Sequence, residues 1–272
     1  MKIAFVGCGA AGRPLGRVWR AAGHEIGAVH ARANAAAAVE AIGAGVADGP
    51  LEEAEVVVFG TPDDALQGVA ARTPLAAHQT ALHLSGFHPS SVLAPTGAAT
   101  AGLHPLRAFA DVETSVTSLP GTFFFIEGDA ADVAERLARD AGGRPVRMNA
   151  GSKTLYHAGA AVAANYSVTL LALARDLFVG AGVDPEIALE ALGNLALGAL
   201  RNVQEVGLAP GLTGPAARGD VSVVAQHIAA LDPGARTLYV ALLRATIPIA
   251  REKGALTPDA EIALRRLVDK HA

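Results

Sequence analysis

The sequence predicts an α/β protein: a doubly wound parallel sheet in residues 1–150, followed by an all-helical region in residues 151–272. Three observations carry this expectation. Short apolar runs alternate with alanine-rich helical stretches through the first half. Those runs are apolar on successive residues, as strands covered on both faces must be. After about Ala150 the strand signals stop and only long helical patterns follow.

The predicted strands are Ile3–Val6, Ile26–Val29, Val56–Phe59, Ala81–Leu84 and Phe123–Ile126, most of them bounded by Gly, Pro or polar residues. Between them lie helical stretches such as Ala10–Ala22 and Ala33–Ile42. In the second half, helices are expected at about 153–180, 185–206, 221–231, 235–253 and 258–270. Gly182 stops the first of these. Asp184-Pro185 caps and starts the next, Thr257-Pro258 does the same for the last, and Asp220 reads as an N-cap for the helix after it. The 21 residues between Lys153 and Arg175 carry no Asp, Glu, Lys or Arg and are long enough to span a bilayer. Tyr156, His157, Asn165, Ser167 and Thr169 are unwelcome in lipid, so this segment is expected to be a buried helix.

Composition narrows the function. The chain has 272 residues, 51% hydrophobic and 18% charged, enough for a substantial core. A net charge of −4 leaves no basic surface for nucleic acid. The single cysteine, Cys8, excludes an intramolecular disulfide framework and a cysteine-rich zinc site, and fits a cytoplasmic location. The opening run Met1–Val6 meets Gly7 too early for a secretory signal. No His, Asp or Glu spacing suggests a metal site, and no Gly-x-Ser-x-Gly elbow is present.

The strongest motif is Gly7-Cys8-Gly9-Ala10-Ala11-Gly12, in G-x-G-x-x-G spacing between a strand and a helix. Gly7 permits the tight turn, Gly9 the approach of a pyrophosphate, and Gly12 close packing of helix on strand. The helix start supplies unpaired N–H groups and partial positive charge for phosphates. A dinucleotide cofactor follows. Its type is read after the second strand, where NAD sites carry an acid. Glu25 stands before that strand, and its far end has His30 and Arg32. An arginine there can hold a 2′-phosphate, so NADP(H) is favoured over NAD. Thr61-Pro62-Asp63 and Ser85-Gly86 follow later strands, at the carboxyl edge where open sheets bind ligands, although turn chemistry supplies the same residue types.

Reduction of a carbonyl or imine needs a proton donor near the acceptor atom. Lys153 is one of only four lysines and opens the apolar helix at the expected domain junction. His157 lies one turn on, on the same helix face. His104, held by Pro105 in a Gly-, Pro- and Thr-rich stretch, is a further candidate, equally compatible with a solvated loop histidine. Asn165 and Arg218 are candidate substrate contacts, Arg218 equally a partner for an acid. His227 reads as an ordinary helix histidine.

The motifs Gly7–Gly12, Thr61-Pro62-Asp63, His83-Leu84-Ser85-Gly86, His104-Pro105-Leu106 with Phe109, Lys153 with Tyr156-His157, Asn165, and Thr213-Gly214-Pro215 with Arg218-Gly219-Asp220 together carry a resemblance. The first half resembles the Rossmann NADP-binding domain of β-hydroxyacid dehydrogenases, ketopantoate reductases, pyrroline-5-carboxylate reductases and F420-dependent NADP oxidoreductases. The whole chain is more similar to an uncharacterised family pairing such a domain with a helical C-terminal domain of unknown function, of the 6-phosphogluconate dehydrogenase C-terminal type. The resemblance implies an NADP-dependent oxidoreductase acting on a CH–OH or CH–NH group, with a helical domain that pairs subunits into a homodimer. Lys153 would be the proton donor and a ketopantoate-type reduction one candidate. β-Hydroxyacid dehydrogenases and ketopantoate reductases place asparagine where this chain has His157, which separates its substrate contacts from theirs. The rival expectation is a non-catalytic NADP(H) sensor.

Overall fold

The structure, a computed structural model, describes residues 1–32, 35–109 and 111–271. Ala33, where a predicted helix begins, lies outside the described residues. The chain divides into two compact units, Met1–Asn165 and Tyr166–Ala272. The boundary therefore falls inside a helix, later than the expected position near residue 150.

The first unit is built on one eight-stranded sheet. Its strands are β1 (Lys2–Cys8), β2 (Glu25–His30), β3 (Val46–Ala47), β4 (Val56–Gly60), β5 (Thr80–His83), β6 (Ala99–Pro105), β7 (Phe123–Gly128) and β8 (Arg144–Arg147), in the order β3-β2-β1-β4-β5-β6-β7-β8. All five predicted strands are present. β3, β6 and β8 were not predicted, and the stretch read as a possible loop around His104 is the end of β6. The sheet is parallel apart from the β6–β7 pair, which is antiparallel and sets Gly102 opposite Glu127.

Helices α1 (Gly12–Ala21), α2 (Ala35–Ile42), α3 (Asp63–Ala70), α4 (Val112–Ser118) and α5 (Ala131–Asp140) complete this unit. The alternation of side chains along each strand feeds two cores. Phe5, Leu15, Trp19, Val58 and Leu137 belong to one, and Ala4, Val57, Phe59, Leu66 and Leu93 to the other. Trp19 is fully buried, and its indole N–H donates to the Leu137 carbonyl at 2.8 Å, so its polar atom is satisfied.

The remaining helices are α6 (Lys153–Gly180), α7 (Pro185–Val206), α8 (Leu208–Gly211), α9 (Pro215–Arg218), α10 (Val221–Ala230), α11 (Pro233–Glu252) and α12 (Pro258–His271). In the second unit, Val224, Ile228, Val240, Leu243, Ile247, Leu264 and Val268 from α10, α11 and α12 form a core. The Asp184 carboxylate accepts from the N–H groups of Glu186 and Ile187, and Thr257 Oγ1 from that of Ala260, as their positions before proline suggest. Asp220 makes no such cap. Its carboxylate is taken by the Arg218 guanidinium at 2.8 Å.

The expectation of a buried apolar helix is corrected. Along α6 only Lys153 is buried among the described residues, and Val168 is 68% exposed. α7 likewise exposes Ile187, Leu195, Leu197 and Leu200. The segment Ala150–Gly180 is long and apolar enough to cross a membrane by length and composition. Its apolarity is not spent on the interior of the single chain.

Candidate active site

The glycine motif forms the turn from β1 into α1. Gly7 has φ +77°, and a Cβ there would lie 2.5 Å from Thr61 Cγ2, so only glycine fits. A Cβ on Gly12 would meet Cys8 Sγ at 3.1 Å, which shows how closely α1 approaches β1. Gly9 differs: within 4 Å its Cβ would meet only the Gly60 carbonyl oxygen, at 3.7 Å. Its missing side chain leaves space in front of the loop rather than relieving a protein contact. No side chain caps the start of α1. The Arg13 side chain turns back to donate to the Cys8 carbonyl at 3.2 Å. Burial pushes the Cys8 thiol up to about 12, so it is a packing group and not a nucleophile.

This loop borders a cavity of about 150 Å³, lined by Gly9, Ala10, Ala11, Gly12, Gly60, Thr61, Asp63, Leu84 and Ser85. All but Asp63, the first residue of α3, come from the glycine motif and the carboxyl ends of β4 and β5. Thr61 Oγ1 is buried and has no hydrogen-bond partner among the described residues. A buried hydroxyl without a partner costs about 1–3 kcal/mol, and a ligand oxygen in the cavity would remove that cost. Pro62 lies outside this lining and precedes α3.

At the far end of β2 the His30 Nε2–H donates to the Gly49 carbonyl at 2.6 Å, which holds the ring against the chain's own backbone. Arg32, two residues past the strand, is exposed and forms no hydrogen bond or ion pair among the described residues. Glu25 stands at the opposite end of β2, against Lys2.

A second cavity, of about 650 Å³, is lined by His104 and Arg107, by Phe125, and by one face of α6 that includes Tyr156, His157 and Asn165. His104 Nδ1 is 2.6 Å from Tyr156 Oη. Phe125 packs on the tyrosine ring at 4.7 Å, and Phe87 meets the His157 ring edge-on at 6.1 Å. Burial, then the Lys153 charge, lowers the His104 pKa to about 4, so its imidazole is neutral near pH 7. Burial also raises the Tyr156 phenol above its usual value. The 2.6 Å contact fits either direction; in the tautomer where Tyr156 donates to Nδ1, the His104 proton sits on Nε2. The Arg107 guanidinium is anchored on the Ser118 carbonyl.

One turn lies between the two cavities. Ser85 lines the first. Gly86 packs so tightly that a Cβ would be 2.8 Å from His104 Nε2 and 3.0 Å from His157 Cδ2. Ser85 Oγ holds the turn by accepting from the N–H groups of Phe87 and His88 at 3.1 and 3.0 Å.

Lys153 takes an unexpected place. It is 2% exposed and lies outside the lining of both cavities. Its Nζ donates to the Ser85 carbonyl at 2.9 Å and lies 3.7 Å from Glu127 Oε1. Asn165 does share the second cavity with His104 and His157, although it is two turns further along α6. Arg218 belongs to the second unit and pairs with Asp220. His227 is exposed on α10, beside Tyr239.

Sequence reasoning passed over Glu127 and gave no role to Tyr156 or His83. Glu127 did carry a signal, being an acid at the end of an otherwise apolar strand.

Residues 122–246 match the family model described as Domain of unknown function (DUF2520). That stretch includes Glu127, Lys153, Tyr156, His157 and Asn165. No curated protein matches the sequence. Among solved structures, protein TM1727 from Thermotoga maritima is 26% identical with a TM-score of 0.78, over 92% of this chain and 99% of that one. The 1-pyrroline-5-carboxylate reductase of Streptococcus pyogenes matches with TM-score 0.62 at 15% identity, over 100% and 98%. The reductive aminase of Aspergillus terreus in complex with NADPH and ethyl levulinate matches with TM-score 0.56 at 19% identity, over 99% and 92%. The fold is thus Rossmann-like with a helical C-terminal region, the architecture that the sequence motifs resemble.

Proposed function

We propose that this protein is an NADPH-dependent oxidoreductase that reduces a small carbonyl or imine compound. The observation that carries the reading is the turn at Ser85–Gly86, which joins a glycine-walled cavity to one lined by His104, Tyr156 and His157. Reductases with this architecture, including the NADPH complex of the Aspergillus terreus enzyme, support it.

The residues of the first cavity fit a dinucleotide. The space in front of Gly9 admits a pyrophosphate, the uncapped start of α1 offers N–H donors, and Thr61 Oγ1 lacks a partner. Arg32 would pair with a 2′-phosphate, which favours NADP(H) over NAD. When bound, the cofactor supplies a hydride to the substrate carbon. In the second cavity neutral His104, held by Tyr156, presents its Nε2–H to the substrate oxygen or nitrogen. That role passes to His104 from Lys153, whose ammonium stays behind the turn. His157 and Asn165 orient the substrate along α6.

The exposed apolar faces of α6 and α7 are proposed to bury themselves against a second copy, giving a homodimer. A membrane span is the weaker reading of α6. Its first turns carry Lys153 into the sheet and line the cavity with Tyr156 and His157.

The test has two arms. Calorimetry should show NADPH binding, and a panel of carbonyl and imine compounds should include at least one that drives NADPH oxidation. Sedimentation should show a dimer that Leu195→Glu converts to monomer. Absence of NADPH binding by the folded protein overturns the reading.

A further inference from the structure

Glu127, Lys153 and His83 converge on Gly102 of β6 from three elements, β7, α6 and β5. The register places Gly102 opposite His83 of β5 and opposite Glu127 of β7. A Cβ on Gly102 would lie 2.5 Å from Glu127 Oε1, 3.0 Å from Lys153 Nζ and 3.1 Å from His83 Cε1. The glycine therefore makes the hole into which α6 inserts its ammonium. All three side chains are at least nine-tenths buried.

A cation in this place is disfavoured twice. It is desolvated, and it sits in the first turn of a helix, where the dipole is positive. Glu127 is the acid set against it, and Glu127 Oε1 is in turn fixed by the Ser90 N–H at 2.8 Å. His83 supplies no charge. Its Nδ1 accepts from the Ser85 N–H at 3.1 Å, and burial lowers its pKa to about 3. His83 Nε2 and Glu127 Oε2 are buried without partners among the described residues.

We propose that Glu127 is the positioning residue of this site: by holding Lys153 as an ammonium under the Ser85 carbonyl, it fixes the turn that joins the two cavities. The proposal rests on the reductase reading for its kinetic consequence and not for its structural one. Other ionisable groups whose charge couples to Lys153 are His83 on β5, His104 on β6 and Asp63 at the start of α3; Tyr156 and His157 follow it in the next turn of α6. Burial lowers the Lys153 pKa, and the charges of Glu127 and then Asp63 oppose that shift.

Four lysines make the side-chain spectrum simple enough to test this directly. With ¹³C-labelled lysine, Glu127→Gln in the full chain is expected to lower the Lys153 titration midpoint by about one unit or more. It should also speed amide exchange at Phe87 and His88 and reduce kcat roughly tenfold or more, moving the alkaline limb of the pH profile to lower pH. Glu127→Asp should restore part of each. An unchanged midpoint overturns the proposal, and so does a lowered midpoint with unchanged exchange. If Glu127→Gln does not fold, the double variant Glu127→Leu with Lys153→Met removes both charges. Protected Phe87 and His88 amides in that variant would equally overturn the proposal. If no carbonyl or imine is reduced by the wild type, the reductase reading fails while the titration and exchange results still decide this one.

Discussion

The glycine cavity and the histidine cavity share a sheet edge and are built from different material. The first is mostly backbone: Gly9, Ala10, Ala11 and Gly12 bring almost no side-chain atoms, and Thr61 adds a hydroxyl that has no partner among the described residues. The second is side chains on a frame, with Tyr156, His104 and Phe125 locked on one another. A backbone site is strict about glycine and tolerant elsewhere. A side-chain site should lose its chemistry to single substitutions that leave the fold intact.

Gly7→Ala should break the first cavity most severely. It places a Cβ at positive φ and 2.5 Å from Thr61 Cγ2, a combination that costs about 2–4 kcal/mol. Urea unfolding should show that loss, and calorimetry little or no NADPH binding. Tyr156→Phe keeps the ring on Phe125 and removes one hydroxyl. It should lower kcat about 10- to 100-fold with NADPH affinity unchanged; an equal loss of affinity would erase the distinction between the cavities.

His104 also makes stability depend on pH. The folded His104 pKa, about 4, lies below the ordinary histidine value of 6.5, because burial and the Lys153 charge disfavour the imidazolium. Between those values the unfolded chain binds a proton that the folded chain refuses. His104 therefore contributes stability that is fully present above about pH 6.5 and lost as the pH falls towards 4. His104→Gln should shrink the difference in urea midpoints between pH 7 and pH 4, by on the order of 2 kcal/mol in stability. The smallest effect sharpens the first cavity alone. Arg32→Ala should weaken NADPH by about 1–3 kcal/mol and leave NADH nearly unaffected.

The two cavities were also unequally legible. The glycine cradle is written in contiguous residues, G-x-G-x-x-G between strand and helix, because one local turn makes it. The second cavity is assembled from β6, β7 and α6, which lie apart in the sequence and meet only once the chain has folded. β6 itself was hidden: Ala99–Pro105 holds a single large aliphatic residue, Leu103, and passes as a loop although most of it is buried. With β6 unseen, its antiparallel pairing with β7 was unseen too, and Glu127 had nothing to face. Lys153 stood out by rarity, but not its direction. The spacing put it one turn from His157, yet the structure buries the lysine and leaves the histidine on the exposed side. The exposure of α6 was unreadable for another reason: an apolar helix looks alike whether its own chain or another covers it.

Because the ammonium at the head of α6 plugs a hole in the sheet, the sheet domain is not a module that ends where its strands end. A fragment cut after Arg147, or a chimera spliced there to a foreign helical region, would strand the Glu127 carboxylate in a dry cleft. Recombination that spares this protein should cross over beyond Asn165, carrying the opening turns of the helix along with the strands they complete.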